Sequence, residues 1–134
     1  MVRDEGIQVS GEQVTSREIY LFSQQRGHTI TDGKAEFNEN IYLLFEGLEG
    51  FSVVDGQVLL GLSMVVNDAD GNVILDEADL FGESGFNYSD VHSQVSSHFI
   101  LTGSEVANPV SCTVRIWDKR SSAWISASTE IEIN

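Results

Sequence analysis

Cys112 is the only cysteine, so no disulfide can form within the chain and a disulfide-stapled scaffold is excluded, while the compartment stays open. Basic residues are also scarce, 7 against 21 acidic ones, for a formal charge of −14. A surface of that sign repels phosphate backbones, which argues against nucleic acid and anionic lipid as partners, and it serves solubility without further explanation. No apolar run approaches the ~18 residues of a membrane span, so no transmembrane segment is expected. The opening Met-Val-Arg-Asp-Glu-Gly has no apolar h-region, so no signal peptide is read there; a leader removed on export would leave the same start. Proline is nearly absent, and neither repeats nor linkers divide the chain.

What the chain does have is alternation punctuated by turns. Its 134 residues suit a single domain, and about two thirds of the surface exposed by an unfolded chain of this size can be buried. Residues 58–77 read as a hairpin, with Val58, Leu60, Leu62, Met64 and Val66 on one face. Its turn fits either a three-residue loop, Ala69-Asp70-Gly71, or a two-residue type I′ turn on Asp70-Gly71, and the first is preferred because it pairs Val66 with Ile74. A second hairpin lies at the carboxy end. A turn centred on Arg120-Ser121 sets Ile116 opposite Ile125, Val114 opposite Ala127 and Cys112 opposite Thr129, and so Trp117 opposite Trp124.

Further strands are expected at 19–22, 40–46 and 97–102. Residues 87–97 read as either a loop or one helical turn, with Val91 and Val95 at helical spacing; a helix there would suit a passage from one sheet to the other. Gly47 and Gly50 mark a bulge or a close backbone approach, with Phe51 packing back on the core. Asp79-Leu80-Phe81 would tuck its two large apolar residues under a crossing loop. About eight strands, no long amphipathic helix and regular turn signals give an all-β fold, an antiparallel β-sandwich over residues 1–134. Residues 1–17 form either a frayed arm or an edge strand around Ile7-Gln8-Val9.

The chemistry-bearing candidates are few. Asp68, Asp70 and Asn72 offer the closely spaced oxygens a calcium ion takes from a tight turn, but Val73 stands where a calcium loop needs glycine, so an acidic hairpin turn is expected instead. Trp117 and Trp124 share an outward face. They are an aromatic platform for sugar rings, a cross-strand pair that stabilises the hairpin, or rings covered by a neighbouring loop or domain. Residues 82–86 are one residue short of a nucleophile elbow. His28, His92 and His98 are scattered, with His98 pointing outward from its strand, and Glu46 with Glu49 read as strand-end charges. Cys112, mid-strand among valines, reads as an inert buried thiol. No catalytic set and no cofactor are expected.

Several short pieces together resemble an immunoglobulin-like module of uncharacterised bacterial surface or periplasmic proteins and lipoproteins. They are F-E-G-L-E-G-F at 45–51, Asp55-Gly56, residues 67–71, Asp79-Leu80-Phe81 and I-W-D-K at 116–119. The resemblance spans roughly residues 35–134 and implies an exported sandwich, often lipid-anchored; it supplies no catalytic residues. The expected function is a non-enzymatic binding module of the cell envelope, periplasmic or extracellular, with a protein or glycan partner. The alternatives are a carbohydrate-binding module using the tryptophans and a calcium-stabilised adhesion-type domain.

Overall fold

The computed structural model describes residues 2–3 and 6–134; residues 1, 4 and 5 of the expected arm lie outside the described residues. Two sheets pack face to face. One holds β3 (Glu18–Ser23), β6 (Asn40–Glu46) and β10 (Val95–Ile100), with β1 (Val2–Arg3) and β4 (His28–Ile30) both along β3. The other has the order β2 (Gln8–Glu12), β12 (Trp124–Ile133), β11 (Val110–Asp118), β7 (Gln57–Asn67), β8 (Val73–Glu77). β5 (Lys34–Ala35) adds to β12, and β9 (Gly85–Asn87) to β7. The pairing is antiparallel except for the short β1–β3 and β12–β5 contacts. The orders β3–β6–β10 and β12–β11–β7–β8 are immunoglobulin-type, strands A–B–E against G–F–C–C′.

Period-2 patterning explains the core. On β7, Val58, Leu60, Leu62, Met64 and Val66 are all buried, and they face Ile41, Leu43 and Phe45 of β6 across the sandwich. Each such side chain stabilises the fold by about 1.5–3 kcal/mol on burial. Ser97, a polar residue inside, donates its hydroxyl to Met64 Sδ at 3.0 Å, a bond made between the sheets. Cys112 is fully buried among valines, and burial pushes its thiol up to about 12.

The carboxy-terminal hairpin has the expected register at every rung, from Cys112 opposite Thr129 to Trp117 opposite Trp124. The helical turn exists as α1 (Tyr88–Ser93), leading from β9 in one sheet to β10 in the other. Residues 8–12 are an edge strand paired with β12.

Three details differ from the reading of the sequence. Val66 pairs with Leu75, not Ile74, because the turn spans 68–72 and a register shift follows Val66. This puts Leu75 against the core and leaves Ile74 exposed. β10 begins at Val95, two residues early. Leu80 is also exposed rather than tucked in, while Phe81 packs on Phe86 with ring centroids 4.7 Å apart.

Candidate functional site

The outer face of the larger sheet is built in rows across four strands. One row is Gly61 on β7, Trp117 on β11, Trp124 on β12 and Glu12 on β2. The next, two residues along each strand, is Ser63, Arg115, Ser126 and Ser10. Val65, Thr113, Ser128 and Gln8 make the third.

Trp117 and Trp124 are opposite in backbone register, yet their rings do not form a cross-strand aromatic pair among the described residues. The Trp117 indole turns toward β7 and lies over Gly61, where a side chain's Cβ would land on its Cε2 and Cζ2 atoms. Trp124 is instead covered by Arg115, whose guanidinium carbon is 4.9 Å from the ring centroid. Between them lies an open groove of about 480 Å³, walled by Ser63, Ala78, Ser121 and Ser122. Both rings are half-buried, so each keeps part of its surface toward solvent.

The end of the groove is held by carboxylates already committed to the backbone. Asp118 is buried; its Oδ2 accepts from the Ser52 amide at 2.6 Å and the Ser121 hydroxyl at 2.9 Å, its Oδ1 from the Arg120 amide at 2.8 Å. Asp79 accepts from the amides of Leu62, Phe81 and Gly82 and from Lys119 Nζ at 2.6 Å. Burial pushes the Asp79 carboxyl up, but Lys119 and these amides outweigh it and hold it below the usual carboxylate range. Lys119 also donates to the Gly82 carbonyl and, through its amide, to Leu59 at 2.9 Å. The turn that ends the groove is thereby tied to β7 and to the loop after β8, which preorganises the site.

The acidic turn is not brought into this site. Asp68 Oδ1 accepts from the amides of Asp70 and Asn72 at 3.0 and 2.9 Å, and Oδ2 from Asn72 Nδ2 at 3.1 Å. The bond from the Asn72 amide leads in holding the Asp68 carboxyl low. Asp68 therefore closes its own turn, its two carboxylate oxygens accepting from Asp70 and Asn72. The thermal midpoint is expected to be the same in excess calcium and in EDTA; a calcium-dependent rise in differential scanning fluorimetry would restore the metal reading.

The remaining candidates disperse. Glu46 lies 3.6 Å from Arg17 and Glu49 3.3 Å from His92. Residues 82–84 turn into a strand, not a helix. His98 points outward as expected, its ring 4.8 Å from that of Tyr42, in a row with Phe22 that crosses the smaller sheet. No helix of the described residues is long and apolar enough to cross a membrane.

Reading the strands singly missed Gly61, Ser63 and Ser10. The hairpin register already implied that Arg115 faces Ser126, but nothing local tells which strand covers the other edge of β11.

No family model matches the chain, and no curated protein does. Among solved structures, the C-terminal domain of wzt is similar to it, with a TM-score of 0.55 and 9% identity over 97% of this chain and 79% of that one. A superoxide reductase (neelaredoxin) from Ignicoccus hospitalis aligns over 92% of this chain and 82% of its own at 7% identity, with a TM-score of 0.49. At 9% identity, what the chain shares with the wzt domain is the fold, an all-β sandwich.

Proposed function

We propose that the protein is a non-catalytic binding module of the cell envelope, and that the outer face of its larger sheet takes a carbohydrate. The observation that carries this is the placement of Trp117 over Gly61, which spreads an aromatic surface on a sheet face whose neighbouring positions are mostly hydroxyls. Sugar rings present apolar C–H faces and polar rims, so an aromatic floor beside Ser63, Ser121 and Ser126 complements both. A protein interface would call for an apolar centre. None of the large exposed apolar residues, Val53, Val54, Val73, Ile74, Leu80 and Ile100, belongs to β2, β11 or β12. Placement at the envelope rests on the resemblance in sequence, and a wholly cytoplasmic pool on cell fractionation would count against it.

A glycan array followed by calorimetric titration tests the reading. Trp117→Ala should weaken binding by ~30-fold or more, as expected of a tryptophan at the centre of a site. Gly61→Val keeps both tryptophans but drives the indole from its seat, and should lose binding too while the fold persists. Absence of any glycan ligand, or affinity that survives both changes, would sink the proposal.

A further inference from the structure

We infer that the sugar chain taken by this face carries a carboxylate, received by Arg115; the inference rests on the carbohydrate reading above. Among the described residues Lys34, Arg115 and Arg120 have no carboxylate within ion-pair distance, and of these only Arg115 lies in the rows beside Trp117 and Trp124. Arg17, Arg26 and Lys119 are each paired with a carboxylate. Arg115 is exposed, sits in the middle of the face and has no carboxylate within ion-pair distance among the described residues. Its row neighbours are Ser63 and Ser126, and its guanidinium rests over Trp124.

Resting on an aromatic face orients a guanidinium without consuming its N–H donors. The planar fork is left to give two parallel bonds to a carboxylate, the geometry arginine makes best. Serine hydroxyls on either side can donate to the same anion or accept from sugar hydroxyls.

Other charges around the face limit how many carboxylates fit. Glu12 lies beside Trp124, Asp76 beside Val65 and Glu130 beside Ser111. One acidic sugar flanked by neutral ones suits this pattern, and an unbroken polyuronate does not. The net charge of −14 opposes any anion at long range, but in physiological salt charges more than about 8 Å away are largely screened, so the local guanidinium decides.

The test is an array of oligosaccharides, each carrying a single uronate or sialate and each printed beside its carboxyl-reduced twin. The acidic member of a bound pair should bind at least ~10-fold more tightly, the gain of a charge-assisted bidentate contact. Arg115→Gln should erase that difference, weakening the acidic member by at least ~10-fold more than its neutral twin, and Arg115→Lys should keep part of it. Twins bound equally by the native protein would overturn the inference and leave the platform standing. Equal loss of both twins in Arg115→Gln would also overturn it, since the arginine would then serve ring placement alone. If no member of any pair binds, the inference falls together with the carbohydrate reading.

Discussion

Replacing Gly50 by alanine should destabilise the fold by on the order of 4 kcal/mol, from roughly 1–3 for the backbone conformation and roughly 1–3 or more for the clash. Gly50 has φ +113, which L side chains rarely adopt, and a Cβ there would land on the Gln13 carbonyl oxygen. That obstacle is backbone and cannot rotate away. The Gln13 segment is held by reciprocal bonds between Thr15 and Glu49, both 2.9 Å, and by the Arg17 amide on the Glu46 carbonyl at 2.8 Å. These bonds join the link between β2 and β3 to the link between β6 and β7, at a corner where the chain passes twice between sheets. Thermal denaturation should show a midpoint lower by roughly 10–20 °C. Gly56→Ala is the control: its φ is +76 but nothing lies within 4 Å of the added carbon, so it should lose only about 1 kcal/mol. Equal losses in the two variants would show that the close approach is not what holds the corner.

The second large effect is expected at Glu39. Its carboxylate is buried, accepting from Arg26 Nε at 2.6 Å, Arg26 Nη2 at 3.2 Å, the Glu36 amide at 2.8 Å and the Ser23 hydroxyl. Arg26 also donates to the Lys34 carbonyl at 3.0 Å, so this cluster pins the 24–39 connection to the end of β3. Glu39→Gln keeps the shape but strands the guanidinium and should destabilise by about 3 kcal/mol, the low end for breaking a buried pair because Arg26 still reaches water.

The effect depends on pH with a definite sign. Burial pushes the Glu39 carboxyl up, but the bonds from Arg26, Ser23 and Glu36 prevail and its pKa is lowered. A depressed carboxyl adds stability above its unfolded pKa of about 4.3 and loses it as pH falls through the folded value. Urea titrations should therefore show a full gap between native protein and Glu39→Gln near neutrality, and a gap that closes in acid. A gap that is constant or widens in acid would mean that Glu39 acts through packing and not through its charge.

Much of the fold was legible because β-patterning is local. Alternation over 40–46, 58–66 and 110–116 marks the inward faces directly, and those residues are buried. Gly47 and Gly50 announced a close approach, and the backbone of residues 13–17 is what approaches. The β7–β8 turn was misjudged by pairing apolar with apolar. The Asp68 carboxylate gathers the amides of Asp70 and Asn72 and lengthens the loop, which moves Leu75 into the place expected of Ile74.

The sequence by itself determined the two-sheet architecture, the buried faces and the register that sets Trp117 opposite Trp124, because a short turn leaves a hairpin little freedom to slip. Only the tertiary structure decided where those two indoles come to rest. With β7 beside β11, Gly61 lies next to Trp117 and has no side chain to stop the indole from settling over it. Trp124, lacking such a gap, takes Arg115 as its cover. Where a ring comes to rest depends on the strand across from it, and distant stretches of chain meet there only once the sheet has formed.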